Sequence, residues 1–227
     1  MQPALTVVRR VRGAAGLFKV GSQLFTAEGP RAVEKLAGLG LEIFLDLKFH
    51  DIPNTVAGAV RVAADLPGVT MLTLHTSGGG PMLRAAREAL EGRKTRPALL
   101  GVTILTSLDP DTLRSIGMTG STASRAVALA RVAQQAGLDG VIASAQEVRA
   151  IRRACGPEFL IVVPGIRPGN AEMHDQSRVA TPGEAIRAGA NYLVVGRPIT
   201  GSHDPRAAAL AISEEIESAQ PKTSQSA

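Results

Sequence analysis

The stretch IFLDLKFHDIPNT, residues 43–55, decides the fold, because it runs from a hydrophobic strand directly into a cluster of charges. It opens with three apolar residues and then sets Asp46, Lys48 and Asp51 within six positions. Successive side chains of a strand point to opposite faces, so Asp46 and Lys48 share one face. The two leucines that alternate with them take the other face, where we expect them to pack against helices. The stretch therefore predicts a strand that presents an acid and a base at its carboxyl end.

Short apolar runs recur along the whole chain. They are residues 17–20, 41–47, 69–74, 99–105, 140–143, 160–163 and 192–195. Continuous hydrophobic runs are typical of parallel strands that are buried on both faces. Segments with helical spacing, such as 30–39 and 121–136, lie between them. This alternation predicts an α/β fold, a TIM (β/α)8-type barrel with seven recognisable strands, whose active site lies at the C-terminal strand ends.

The ends of the chain carry separate expectations. Residues 1–217 are predicted to form a single barrel domain, and the polar residues 218–227 a disordered C-terminal tail. The chain starts in a predicted helix, 3–11, so the first barrel strand is expected to be missing. The two outer strands would then expose unpaired edges. We expect a gene model that starts too late and a chain that is poorly soluble or weakly active as it stands.

The composition argues against several classes of function. The formal net charge is +5, but aromatic residues make up only 3% of the chain, too few for a platform on which nucleic-acid bases stack. No apolar run approaches the ~20 residues of a membrane helix. The single cysteine, Cys155, fits a reducing compartment. We therefore expect a cytoplasmic protein that binds neither nucleic acid nor membranes.

A second lysine, Lys19, ends the strand that precedes the opening stretch. Lys19, Asp46, Lys48 and Asp51 would then converge on one site with no net charge. A lysine held among carboxylates is a fixed cation, which can stabilise negative charge in a transition state. The alternative interpretation is a solvated ion pair at the barrel rim. His50 is expected to be a structural hydrogen-bonding residue, and no cluster has the spacing of a metal site.

Two loops near the C-terminus have the composition of phosphate-binding loops. They are PGIRP at 164–168 and GRP at 196–198. Barrels often bind phosphate with the loops after their last two strands. Glycine lets the backbone approach a phosphate closely, and arginine offers a planar fork of donors.

These residues carry a resemblance to a known family. FLDLKFHDIPNT resembles the signature of bacterial orotidine 5′-phosphate decarboxylases. Further blocks in the same order are FKVGSQLFTAEGP, GVTILTS, GLDGVIASAQE, PGIRP and VVGRPIT. Together they cover nearly the whole chain, which is identified on this ground as a member of that family.

The resemblance implies decarboxylation of orotidine 5′-monophosphate to UMP, the last step of de novo pyrimidine nucleotide synthesis, without cofactor or metal. It implies that Lys48 is the proton donor within a catalytic network of Lys19, Asp46, Lys48 and Asp51. It also implies a homodimer with shared sites, in which Asp51 completes the site of the partner subunit. The implied substrate-binding residues are Lys19, Asp46, Thr55, Thr106, Arg167, Gln176, Gly196 and Arg197.

Two alternatives stay open. One is a magnesium-dependent phosphosugar decarboxylase of the same superfamily, which would share the Asp-x-Lys-x-x-Asp pattern. The other is a catalytically impaired nucleotide-binding barrel, an interpretation that rests on the missing first strand.

Overall fold

The computed structural model describes residues 1–168 and 180–220, and the elements below belong to these ranges. The strands are β1 (Leu17–Gly21), β2 (Glu42–Phe49), β3 (Val69–His75), β4 (Ala98–Val102), β5 (Gly140–Ile142), β6 (Leu160–Val163) and β7 (Tyr192–Leu193). The helices are α1 (Gln2–Val11), α2 (Ser22–Glu28), α3 (Pro30–Ala37), α4 (Pro53–Ala64), α5 (Gly79–Glu88), α6 (Pro110–Ser115), α7 (Thr122–Gln135), α8 (Val148–Cys155), α9 (Pro182–Ala188), α10 (Arg197–Thr200) and α11 (Pro205–Ala219).

The strands form one parallel sheet in chain order, from β1 to β7. The sheet curls into a partial barrel with helices between the strands, which confirms the predicted fold class and the seven strands. Within the described ranges β1 and β7 are the end strands, and they do not pair with each other. A cavity of about 430 Å³ lies between these two ends.

Side chains on the two faces of the sheet enter two separate cores. The inner core fills the barrel and contains Phe44, Met71, Leu100, Val102, Ile142 and Val162. The larger outer core lies between the sheet and the helices, and Ile43 and Leu45 of β2 belong to it. Inner and outer residues alternate along β2, as the strand geometry requires. This alternation sends the next inner residue after Phe44, which is Asp46, towards the barrel interior.

Polar caps and ion pairs fix the ends of these elements. Thr181 and Glu184 form a capping box at the start of α9, and the Asp204 carboxylate accepts backbone bonds at the start of α11. At the N-terminal ends of β4 and β5, both terminal nitrogens of Arg96 donate to the Asp139 carboxylate at 2.6 and 2.7 Å. None of the helices in the described ranges has the length and hydrophobicity needed to cross a membrane.

Candidate active site

The carboxyl ends of β1 and β2 bring three charged side chains together. The ammonium of Lys48 donates to both carboxylate oxygens of Asp46, at 2.8 Å each. Lys19 approaches the same carboxylate, with Nζ 3.4 Å from Oδ2. This geometry follows from the register, because Gly21, two residues beyond Lys19, lies beside Asp46. The structure thus assembles three of the four charged residues that the sequence singled out.

Asp46 is the buried member of this group, with 8% of its surface exposed. Burial by itself would raise the pKa of its carboxyl group. The hydrogen bonds and positive charge of Lys48, the charge of Lys19 and a hydrogen bond from Thr73 outweigh that effect and hold the pKa below its usual value. Asp46 is therefore anionic at neutral pH and can orient two lysines.

The backbone of β2 is irregular at Lys48. Leu45 pairs with Leu72 and Phe49 pairs with Leu74, so the three residues from Asp46 to Lys48 face a single residue of β3, Thr73. Such a bulge redirects a side chain near a strand end. Lys48 adopts a φ of 53°, and it is the one non-glycine residue in the described ranges with a positive φ. A conformation of this kind costs roughly 1–3 kcal/mol and is typical of functional sites.

A cavity of about 280 Å³ opens beside these charges. Its apolar wall is part of the inner core and includes Phe44, Val102 and Ile142. The predicted site residues that line it are Lys19, Asp46, Lys48, Thr106, Arg167, Gly196 and Arg197. The cavity therefore joins the charged cluster on the β1–β2 side to two arginines that follow β6 and β7.

Arg167 differs from an ordinary surface arginine, because only 7% of it is exposed. Its Nε and Nη2 atoms are buried and have no hydrogen-bond partner within the described part of the protein. Gly165, which lines the cavity in the same loop, has a φ of 77°, a conformation that glycine adopts without strain. Buried donors without partners are costly, so Arg167 has the character of a group that awaits an anionic ligand.

The remaining predicted site residues lie elsewhere. Asp51 is exposed, and its carboxylate accepts a bond from the Ile52 backbone at 2.6 Å, just before α4. Thr55 is exposed on α4. As far as the described ranges go, neither lines the cavity and Asp51 forms no ion pair. Gln176 lies outside the described residues.

Two histidines flank the charged cluster. The rings of His50 and His75 lie 5.4 Å apart between centroids, tilted by 41°. Burial is the main cause that lowers the pKa of His75, and the positive charges of His50 and Lys48 act in the same direction, against the opposing charge of Asp46. His75 is thus kept neutral beside the lysine.

The sequence reasoning missed Thr73 and His75, both on the inner face of β3. The signal for them was present, because Met71, Thr73 and His75 repeat the alternation of Phe44, Asp46 and Lys48 on the neighbouring strand. A polar residue inside an apolar run, at the level of a buried aspartate, indicates a partner for that aspartate. The register between β2 and β3 is needed to show that Thr73 lies at the level of Asp46.

The comparisons with known proteins identify the family of the chain. Residues 1–212 match the model of the family described as Orotidine 5'-phosphate decarboxylase / HUMPS family. The chain belongs to this family. The family name joins two groups, so family membership by itself does not choose one reaction.

Individual relatives narrow the choice. The chain is 52% identical over 215 residues to the orotidine 5'-phosphate decarboxylase of Nitrosococcus oceani, covering 95% of this chain and 92% of the relative. It is 54% identical over 217 residues to the protein of the same name from Syntrophotalea carbinolica, covering 93% and 88%.

Solved structures show the same likeness. The crystal structure of orotidine 5'-phosphate decarboxylase from Lactobacillus acidophilus matches with a TM-score of 0.82 and 39% identity, over 95% of this chain and 93% of that one. The enzyme of that name from Pyrococcus horikoshii matches with a TM-score of 0.76 and 27% identity. The family resemblance carried by the sequence motifs is thereby confirmed.

Proposed function

We propose that this protein removes CO₂ from orotidine 5′-monophosphate and releases UMP, the last step of de novo pyrimidine nucleotide synthesis. The names of its relatives support this reaction. The observation that carries the proposal is one cavity with the Asp46–Lys48 pair on the β2 side and the buried Arg167 after β6. A nucleotide with a phosphate at one end and a carboxylate on its base matches this distribution of charge.

The phosphate is the group that fits Arg167. Two buried donors without partners favour a ligand with several acceptor oxygens, and a phosphate meets the planar guanidinium with two of them. Arg197 lines the same cavity and is exposed, at the start of α10 next to Gly196. We propose that Arg167 binds the phosphate from the buried side of the cavity and that Arg197 binds it from the solvent side.

The pyrimidine then lies towards the charged cluster, with its C6 atom near Lys48. Breaking the bond between C6 and the carboxylate releases CO₂ and leaves the electron pair on C6, in the plane of the ring. The ring π system cannot take up that pair, so the site itself must stabilise it. The Lys48 ammonium provides a positive charge at this position and then transfers one proton to C6, which completes UMP. Solvent returns the proton to Lys48.

Asp46 and Lys19 prepare Lys48 for this role. Asp46 fixes the ammonium through both carboxylate oxygens, so the proton donor is oriented before the substrate arrives. Its negative charge next to the substrate carboxylate also raises the energy of the bound ground state. Lys19 offsets part of the charge on Asp46 from the β1 side.

We propose that the active form is a homodimer and that Asp51 acts in the site of the partner subunit. Asp51 is exposed, and the next residue, Ile52, is a large apolar side chain with 66% of its surface exposed. Their exposure leaves both side chains accessible to a second subunit, which is the arrangement that the family resemblance implies. We also propose a cytoplasmic location, in line with the free thiol of Cys155.

The proposed reaction uses no cofactor and no metal. The second candidate function is a magnesium-dependent decarboxylase of a sugar phosphate, and it is favoured by the breadth of the family match alone. The two differ in their requirement for a divalent cation, because a carboxylate-held magnesium ion is lost to a strong chelator.

The decisive experiment measures turnover of orotidine 5′-monophosphate through the loss of its ultraviolet absorbance, before and after treatment with a chelator. We expect turnover in both samples and UMP as the product by chromatography. Absence of turnover in the folded protein would contradict the proposed reaction. Turnover that disappears with the chelator and returns with magnesium would contradict the metal-free mechanism and favour the second candidate.

A further inference from the structure

Thr73 lies at the point where β2 and β3 lose their regular pairing. It is fully buried, with 0% of its surface exposed, and it faces the three-residue bulge that contains Asp46 and Lys48. Its hydroxyl makes two contacts of 2.9 Å. It donates to Oδ1 of Asp46 and accepts the backbone N–H of Lys48.

The second contact explains how Lys48 keeps its unusual backbone. At a φ of 53° the N–H of Lys48 leaves the ladder that a regular strand would form. A partly buried N–H without a partner would favour a return to regular pairing. The Thr73 hydroxyl takes the place of the missing carbonyl and so stabilises the bulge.

The first contact acts on the carboxylate that orients the proton donor. Asp46 shares its Oδ1 between the Lys48 ammonium and the Thr73 hydroxyl. A hydroxyl has a single proton, and here it is spent on Asp46, which leaves a lone pair for the Lys48 backbone. The Thr73 hydroxyl thereby links the carboxylate of Asp46 to the backbone of Lys48.

We propose that Thr73 is a positioning residue for the decarboxylation, which sets Lys48 at the reacting carbon by bridging the Asp46 carboxylate and the Lys48 backbone. This inference rests on the proposed function in naming the reaction, while the bridge itself is a property of the free protein. Thr73 does not line the substrate cavity within the described ranges, so it acts through the other two residues.

The test compares Thr73→Val, which keeps the shape and removes the hydroxyl, with Thr73→Ser, which keeps the hydroxyl. Thr76→Val is the matched control, because Thr76 is also buried and its hydroxyl donates to a backbone carbonyl, that of Val102, at 2.7 Å. Steady-state kinetics with orotidine 5′-monophosphate and the affinity for UMP are measured for each variant. A change in kcat reports a loss of positioning, whereas changes in KM and in the UMP affinity report a loss of binding.

For Thr73→Val we expect kcat to fall about 10- to 100-fold, the value of hydrogen bonds to charged groups. KM and the UMP affinity should change by less than about threefold, because the phosphate contacts are untouched. Thr73→Ser should recover most of kcat, and Thr76→Val should keep it. If Thr73→Val retains the kcat of Thr76→Val, or if Thr73→Ser is as slow as Thr73→Val, the positioning role is wrong.

A measurement on the free protein separates this proposal from the proposed function. Carbon-13 NMR of labelled aspartate follows the titration of Asp46, assigned with Asp46→Asn. Thr73→Val should raise the pKa of Asp46, and Thr76→Val should leave it unchanged. If the wild type does not turn over the substrate, the proposed function fails, and this titration alone decides the bridge. An unchanged titration in Thr73→Val would then overturn it.

Folding of the variant is checked by circular dichroism. Where Thr73→Val does not fold, Thr73→Cys takes its place, because a thiol has a similar size and is a weak donor and acceptor. The same fall in kcat and the same rise in the pKa of Asp46 are expected for it, and the absence of both would count against the bridge.

Discussion

Arg167 provides the sharpest test of how the substrate is held. We expect Arg167→Met to lower kcat/KM for orotidine 5′-monophosphate strongly, because methionine fills much of the same volume without any donor. The magnitude follows from the two buried nitrogens, Nε and Nη2. A hydrogen bond to a charged group is worth about 1.5–3 kcal/mol, so two such bonds predict a loss of roughly 100- to 10,000-fold.

The control substrate is orotidine, which has the same base and ribose but no phosphate. Arg167→Met should leave its slow turnover nearly unchanged, because the lost contacts were never made with it. Arg197→Ala is the comparison variant. Arg197 lines the same cavity but is exposed, so we expect a smaller loss, of up to about fivefold, since exposed charge pairs are worth less.

The assay is the same ultraviolet measurement with both substrates and all three proteins. The free energy of unfolding is measured in urea, and we do not expect Arg167→Met to lower it, because the substitution removes a buried charge whose donors are incompletely satisfied. An equal loss of kcat/KM on orotidine and on its phosphate would refute a phosphate-binding role. A larger effect for Arg197→Ala than for Arg167→Met would refute the proposed order of the two arginines.

Three further outcomes are expected. Asp51→Ala and Lys48→Ala should each be nearly inactive as homodimers. Heterodimers formed by mixing the two variants should recover activity, because both substitutions then fall in one of the two sites and the other site is intact. No recovery in heterodimers confirmed by mass would mean that Asp51 acts within its own subunit. Asp139→Ala should lower the free energy of unfolding in urea by about 2 kcal/mol, because it breaks a bidentate pair with Arg96. It should leave kcat unchanged, because this pair lies at the end of the strands opposite to the cavity. A lower kcat would contradict the separation of this ion pair from the active site. The free energy of unfolding should fall as the pH is lowered from about 6.5, because the pKa of His75 is lowered in the native state and the unfolded chain therefore binds the proton more readily. His75→Gln should flatten this part of the plot of unfolding free energy in urea against pH. An identical plot for the variant would exclude His75 as the source of the fall.

The strands could be predicted because burial on both faces leaves a simple signal. The run 160–163 coincides with β6, and each of the other six predicted runs overlaps an observed strand. The ends were less accurate where the chain leaves the sheet. The run 192–195 pairs only over Tyr192–Leu193, although the Val194 N–H still bonds to the Val163 carbonyl at 2.8 Å. Apolarity continues past the last ladder pair, so composition cannot mark the exit.

The site was predictable as a set of residue types and not as a geometry. Asp46 and Lys48 are two apart, and a regular strand would also put them on one face. The alternation therefore predicted that the two side chains meet, but for an incomplete reason, because it contains no sign of the bulge or of the positive φ at Lys48. Asp51 was expected to converge on the same site as Lys19, Asp46 and Lys48. Its placement on the Ile52 backbone depends on how α4 begins, which spacing alone does not determine.

The two costly features of the fold lie on the two sides of one cavity. Lys48 occupies a backbone conformation that costs roughly 1–3 kcal/mol. Arg167 buries two donors without partners in the described ranges, at a further cost of roughly 1–3 kcal/mol for each such group. Against a net stability of about 5–15 kcal/mol these are large terms, and a chain selected for stability alone would lose both. Their joint presence is understandable if a ligand that contacts both sides recovers part of the cost on binding. A nucleotide phosphate would satisfy the donors of Arg167 on binding, whereas the negative charge near Lys48 develops only in the transition state. This difference between the two sides of the cavity is what the proposed decarboxylation requires, because binding energy at the phosphate then supports a site that is organised for the reaction.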